Sequence, residues 1–109
     1  MTDCVVVLVT AGARDEAERV AEALVGEQLA ACVNIVGPIR SIYRWEDQIQ
    51  RDDEWLLLIK ARTAQFDALA ARVRALHSYQ TPEVIALPIS AGSLPYLEWL
   101  RRATRAPDD

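Results

Sequence analysis

Histidine and cysteine are scarce in this sequence. One histidine, His77, and two cysteines, Cys4 and Cys32, occur among its 109 residues, and the cysteines do not form a C-x-x-C pair. Two thiols make neither a disulfide framework nor a complete zinc site. We therefore expect two unpaired thiols and a cytoplasmic protein, because thiols stay reduced in that compartment. Any nucleophile activated by a histidine would have to use His77.

Basic residues and long apolar runs are also lacking. Twelve Lys and Arg residues stand against 16 Asp and Glu residues, so the formal net charge is −4 at pH 7. Nucleic acid is not an expected partner, because phosphate binding requires a basic surface. No apolar run approaches the roughly 20 residues that span a bilayer. The early run 4–9 follows Asp3 without a basic leader, so we expect neither a membrane partner nor a secretory signal.

The common catalytic motifs are absent. The sequence contains no glycine-rich phosphate loop, no G-x-S-x-G and no H-E-x-x-H. Arg14 and Asn34 have the residue types that an acylphosphatase-like enzyme would need, but the glycine-containing loop motif of such enzymes is missing. We therefore expect no catalytic residues and no enzymatic activity.

The sequence does contain apolar runs that alternate with amphipathic segments. Continuous β-branched runs predict strands, whereas apolar residues at steps of three and four predict helices. Asp15 and Glu18 have the spacing of a capping box, and Thr63 is a candidate cap for the second helix. The predicted strands are 4–10, 31–36, 55–60 and 84–89, and the predicted helices are 15–29, 63–76 and a short one after Ser93.

This order, βαββαβ followed by a helix, predicts an α+β protein of the ferredoxin-like class. Such a protein has an antiparallel sheet with two helices on one face. We expect one domain over 1–105 and a frayed tail at 106–109. The extra C-terminal helix must pack on an edge of the sheet or on a neighbouring chain.

A long hairpin is predicted between the second and third strands. Gly37 and Pro38 must bend or bulge the second strand, since proline cannot donate to a ladder. Four residues then alternate on one face: Ile39, Ser41, Tyr43 and Trp45. The polar segment 46–54 follows, with Asp47 as a plausible turn residue. Because the hairpin outruns so small a domain, we expect its aromatic residues to contact another subunit in preference to a ligand.

Two single residues allow two interpretations each. His77 lies at the predicted end of a helix, where it could act as a cap or as one ligand of a metal ion. Lys60, the only lysine, ends an apolar strand. It could extend its ammonium group into solvent, or it could face an anion in a cleft.

Five stretches of the sequence resemble the CutA family of divalent-cation tolerance proteins. They are 29–35, 41–46, 57–60 with Arg62, 79–83 with 86–89, and 96–100. They occur in the family's order and cover nearly the whole chain. The resemblance implies a homotrimer of ferredoxin-like subunits joined through their hairpins and edge strands. It also implies a role in tolerance of copper and other divalent cations, and an architecture similar to that of PII-type signalling trimers.

The resemblance also implies candidate site residues. The copper site proposed for the family uses a cysteine late in the first strand and two adjacent histidines. Val9 and Leu76 occupy two of these positions here, so His77 is the one ligand that matches. The matching cleft residues are Trp45, Lys60, Tyr79 and Glu83. An alternative to metal tolerance is a PII-like regulatory module that binds a small anion or a protein in clefts between subunits.

Overall fold

A computed structural model describes residues 2–105 as a four-stranded antiparallel sheet with three helices. The predicted tail at 106–109 lies outside the described residues. The elements are β1 (Cys4–Ala11), α1 (Arg14–Gly26), β2 (Cys32–Trp45), β3 (Gln48–Arg62), a 3-10 turn (Thr63–Gln65), α2 (Phe66–Leu76), β4 (Val84–Pro88) and α3 (Leu94–Ala103). Within 2–105, no helix combines the length and the apolar character needed to cross a bilayer.

The sheet has the strand order β2-β3-β1-β4, which confirms the predicted ferredoxin-like topology. β1 pairs with β3 on one side and with β4 on the other, so it is covered by neighbours along both edges. Alternate β1 residues are buried in the core, and Val6 and Leu8 between them are half-buried on the opposite face. Pro88 ends the edge strand β4, where a missing N–H group costs no ladder bond.

The main core lies between the sheet and the helices α1 and α2. Alternate residues of β1 and β3 point into it and are fully buried, among them Val7, Val9, Leu57 and Ile59. A second, smaller core lies on the other face of the sheet. There Leu97 and Leu100 of α3 pack on Cys4 and Ala31, so α3 covers one end of that face.

The rest of that second face is mostly apolar and is not covered by a helix, and we call it the open face. Its residues lie opposite one another in register across the strands, and their side chains therefore form rows: Asn34, Leu58, Leu8 and Ile85 in one, and Cys32, Lys60, Val6 and Leu87 in the next. Ile85 is 49% exposed and Leu87 is 50% exposed. A surface of this kind indicates an association site.

The β2–β3 hairpin continues beyond the sheet as a two-stranded ribbon, which we call the arm (residues 39–54). Pairing runs from Ile39 opposite Glu54 to Trp45 opposite Gln48, whereas the β1 register ends at Trp55. The prediction that β3 begins at residue 55 is therefore wrong: the polar residues before it pair with β2 and form strand. Asp47 is confirmed as a turn residue, with a φ of 63°.

A bulge separates the arm from the rest of β2. Val36 lies opposite Leu56 and Ile39 lies opposite Glu54, so Gly37 and Pro38 together face one residue, Trp55. Two residues opposite one define a bulge and shift the alternation of side chains by one position. The predicted face of Ile39, Ser41, Tyr43 and Trp45 thus continues the open face, and the intervening arginines point to the other side.

Both predicted helix caps are wrong. The N-cap residue of α1 is Ala13, whose side chain cannot accept a hydrogen bond. Asp15 lies inside the helix instead, and its carboxylate accepts a bond of 2.9 Å from the adjacent Glu16 N–H group. Thr63 begins the 3-10 turn, and α2 starts three residues later. Helix α1 also ends at Gly26 instead of residue 29, since the chain turns there to bury Leu29.

Gly37 should be essential to the bulge. A Cβ atom at this position would lie 2.6 Å from Cδ1 of the Trp55 ring, closer than packed atoms approach. We expect Gly37→Ala to lower the free energy of unfolding by about 1–3 kcal/mol, measured by urea denaturation at fixed protein concentration. Gly26→Ala is the matched control, because a Cβ there would have no atom within 4 Å. Equal stabilities of the two variants would contradict this packing.

Candidate ligand-binding cleft

A cleft of about 580 Å³ lies between the arm and the segment that leads into β4. The arm contributes Ser41, Tyr43 and Trp45 from β2 and Glu54 from β3, and Thr10 of β1 lies at the base. The opposite wall is the loop 79–83, which contributes Tyr79, Gln80, Thr81 and Glu83. The bulge places the first group on this side, because without it Arg40 and Arg44 would occupy the same face.

Three of the four predicted cleft residues meet here, and the fourth does not. Trp45, Tyr79 and Glu83 all line the cleft. Lys60 lies six residues along β3 from Glu54, which corresponds to roughly 20 Å. Its ammonium group donates a hydrogen bond to the side-chain oxygen of Asn34, on the open face. Sequence reasoning missed Glu54 and Thr10, whose places depend on the pairing register.

A hydrogen bond joins the two walls. The Tyr79 hydroxyl donates to Oε2 of Glu54 over 2.8 Å, and Glu54 is only 7% exposed. Burial, followed by this bond to a carboxylate, raises the pKa of Tyr79 well above its ordinary value. Gly12 allows the ring to lie there, since a Cβ atom at that position would be 2.9 Å from the hydroxyl oxygen.

A second phenol stabilises a second carboxylate on the arm. The Tyr43 hydroxyl donates to Oδ2 of Asp52, and this hydrogen bond raises the pKa of Tyr43. Both carboxylates are thus held by neutral donors. No basic side chain is among the ten residues that line the cleft, so its negative charge is not compensated from within.

His77 is buried behind the cleft, at the C-terminal end of α2 as predicted. Its Nε2–H group donates to the Thr10 carbonyl oxygen over 2.7 Å. The Tyr79 N–H group lies 3.0 Å from Nδ1, and an oxygen of Glu16 lies 3.3 Å from the same nitrogen. Both ring nitrogens therefore face protein atoms, and the ring fixes the position of the 79–83 loop.

Glu16 anchors the same loop from α1. Its buried carboxylate accepts a hydrogen bond of 3.0 Å from the Ser78 N–H group and bonds of 3.0 and 2.9 Å from the Ser78 hydroxyl. Such charge-assisted bonds compensate for the cost of burying a carboxylate. Ser78 thus supplies two donors to the Glu16 carboxylate.

These residues do not assemble a complete metal site within one subunit. Among residues 2–105, no three His, Cys, Asp or Glu side chains are grouped to hold a metal ion. A cation that bound His77 would have to displace one of the partners of its ring. Cys4 and Cys32 are both free; burial raises the pKa of the Cys4 thiol.

The strand order, the helices on one face and the long arm define a ferredoxin-like α+β protein. A family model described as CutA1 divalent ion tolerance protein matches residues 5–103. The chain therefore belongs to the CutA divalent-ion tolerance family, which confirms the resemblance found in the sequence.

Individual relatives agree with this assignment. The divalent-cation tolerance protein CutA of Thermus thermophilus is 52% identical over 99 residues, which cover 91% of this chain and 96% of the relative. The chloroplastic CutA 1 protein of Oryza sativa subsp. japonica is 52% identical over 93% of this chain, which spans only 57% of that longer relative. A solved structure of the Thermus thermophilus protein superposes with a TM-score of 0.92 at 50% identity, covering 94% of this chain and 99% of that one.

Tyr79 should make the stability depend on alkaline pH. Its folded-state pKa is raised above the ordinary value of 10.0, so its contribution is fully present below pH 10 and is lost as the pH rises through the folded value. We expect Tyr79→Phe to cost about 1–3 kcal/mol at pH 8, because the buried Glu54 loses a donor.

The same variant should lose less stability than the unmodified protein between pH 10 and 11.5. Urea denaturation followed by circular dichroism at several pH values measures both effects. Tyr96→Phe is the control for the cost at pH 8: burial raises the pKa of Tyr96 too, but its hydroxyl bonds no carboxylate of residues 2–105. Parallel alkaline profiles for the protein and Tyr79→Phe would contradict this role.

Proposed function

We propose that this protein acts as a homotrimer in cellular tolerance of divalent cations, copper among them. The observation that carries the proposal is the large apolar surface that one subunit leaves uncovered, on the open face and along the arm. The family resemblance supplies the number of subunits and the link to divalent cations. The name of the Thermus thermophilus relative supports the same role.

The arm supports association most directly. Within residues 2–105, its strands pair only with one another, and they extend about 23 Å beyond the sheet. An isolated two-stranded ribbon is marginally stable in water, so contact with another subunit would stabilise it. Ile42 is 65% exposed and Ile49 is 54% exposed, and the pairing register places both on the side of the arm opposite Tyr43 and Trp45. Exposed apolar side chains of this kind indicate an association surface.

The open face supports association through a second surface. Leu8, Leu58, Ile85 and Leu87 share it in adjoining rows, and β4 leaves an edge available for pairing. A chain with two different association surfaces, the arm and the open face, fits a closed ring of copies. In such a ring each subunit contacts one neighbour through its arm and the other through its open face.

The regulatory alternative with a small anion is not favoured. This alternative rests on Lys60 and the aromatic hairpin, and the register places Lys60 far from the cleft and beside Asn34. An anion would instead meet Glu54 and Glu83.

We also propose a non-enzymatic, cytoplasmic protein. Two free thiols are consistent with a reducing compartment. Arg14 pairs with Glu18 over 3.4 Å, and Asn34 accepts from Lys60. The two residues that suggested acyl-phosphate chemistry thus have separate partners, which supports a role other than catalysis.

The oligomeric state tests the proposal. Three copies of 12.2 kDa give a mass of about 37 kDa by light scattering. We expect Leu87→Arg, which places a charge on the open face, to shift that mass towards about 12 kDa at micromolar concentration. Val25→Arg is the matched control, because Val25 is an exposed apolar residue on α1. A monomeric unmodified protein would overturn the proposed trimer.

The metal link has a separate test at His77, the ligand that the family resemblance implies. Calorimetric titration with Cu(II) in a weakly chelating buffer should show binding that His77→Gln weakens at least tenfold if the imidazole is a ligand. Ser78→Ala is the control, since it disturbs the same loop and leaves the imidazole in place. Equal Cu(II) affinity in all three proteins would assign His77 a purely structural role.

A further inference from the structure

We propose that the cleft binds a small organic cation that carries a guanidinium group. This inference rests on the proposed trimeric function, because the cleft lies beside the surfaces through which subunits would meet. It concerns the chemical class of the ligand, which neither the family nor the names of the relatives specify.

The charge of the cleft selects a cation. Glu54 and Glu83 line it, and no basic side chain is among the lining residues. Asp52 adds a third carboxylate beside Tyr43, on the same side of the arm. Ion pairing within the arm occurs on its other side, where Arg40 contacts Asp53 over 3.1 Å. The negative charge at the cleft is therefore available to a ligand.

One oxygen of the Glu54 carboxylate remains open to a further donor. Oε2 of Glu54 accepts the Tyr79 hydroxyl, whereas Oε1 accepts no hydrogen bond from residues 2–105. Every fully buried side-chain nitrogen and oxygen in this part of the chain has a partner. Oε1 must therefore keep contact with solvent, and the solvent beside Glu54 is that of the cleft. An N–H donor at this point would complete the hydrogen bonding of a carboxylate that is more than nine-tenths buried.

The walls of the cleft favour a planar organic cation over a metal ion. Tyr43, Trp45 and Tyr79 offer partly exposed aromatic rings around the carboxylates. Guanidinium groups stack on such rings and donate N–H bonds in the same plane. A hard metal ion would instead require several oxygen ligands, and no three acidic, histidine or cysteine side chains within residues 2–105 are grouped to supply them.

Calorimetry with n-butylguanidinium on the protein in its assembled state tests the proposal. The neutral isostere n-butylurea is the ligand control, since it matches the shape and lacks the charge. We expect butylurea to bind at least tenfold more weakly. Cu(II) and ATP serve as the metal and anion probes, and neither should compete with butylguanidinium.

Variants then locate the site. Glu54→Gln and Glu83→Gln should each weaken butylguanidinium binding several-fold, and rising salt should weaken it further in the unmodified protein. Glu98→Gln is the matched control, because Glu98 is exposed on α3 at the other end of the sheet. Glu83 is also exposed, so its variant keeps the test valid if Glu54→Gln fails to fold.

Three outcomes would overturn the inference. No binding of butylguanidinium to the assembled protein would mean that the cleft does not accept a small cation. Equal binding of butylurea would indicate an apolar cleft without charge selection. Unchanged affinity in both glutamate variants would place the ligand elsewhere. Light scattering on the same samples separates these outcomes from a failure of the proposed trimer.

Discussion

The bulge at Gly37 and Pro38 is the constraint on which the functional surface depends. One extra residue in β2 shifts its alternation, so that Ser41, Tyr43 and Trp45 point to the cleft and the neighbouring arginines point away. Without that shift, the same sequence would place guanidinium groups beside Glu54 and neutralise the site. The contact of Gly37 with the Trp55 ring ties the shift to the main core, because Trp55 packs against the helix side of the sheet.

A chain of buried polar contacts holds the opposite wall. The loop 79–83 has no strand or helix of its own, and its backbone must be fixed by side chains. Glu16 accepts from Ser78, His77 donates to Thr10, and Tyr79 donates to Glu54. The contacts run in sequence from α1 through the end of α2 to β3. The cleft is thereby built on rigid elements, although half of its wall is loop.

The sequence predicts the topology and part of the candidate site, and the limits of both predictions are physical. The apolar run of β1 and the apolar faces of α1 and α2 are buried, and burial is the property that apolar periodicity in the sequence indicates. The polar residues 48–54 show no apolar periodicity, because they form a strand only through their pairing with β2. The burial of Glu54 is hidden for the same reason, since it arises from the arm and from Tyr79. Lys60 and Trp45 both match family motifs. A motif does not reveal the strand register, however, and the register places Lys60 far from the cleft.

The choice of hydrogen-bond donors determines what the cleft can attract. Two carboxylates beside it, Asp52 and Glu54, each accept a hydrogen bond from a phenol instead of from arginine or lysine. A phenol stabilises a carboxylate without cancelling its charge. The bond to Asp52 raises the pKa of Tyr43, and burial, followed by the bond to Glu54, raises the pKa of Tyr79. An arginine in either place would have made a stronger pair and an electrically neutral cleft. Because the donors are neutral, the negative charge of the carboxylates remains in the cleft, and that charge selects a cation as the ligand.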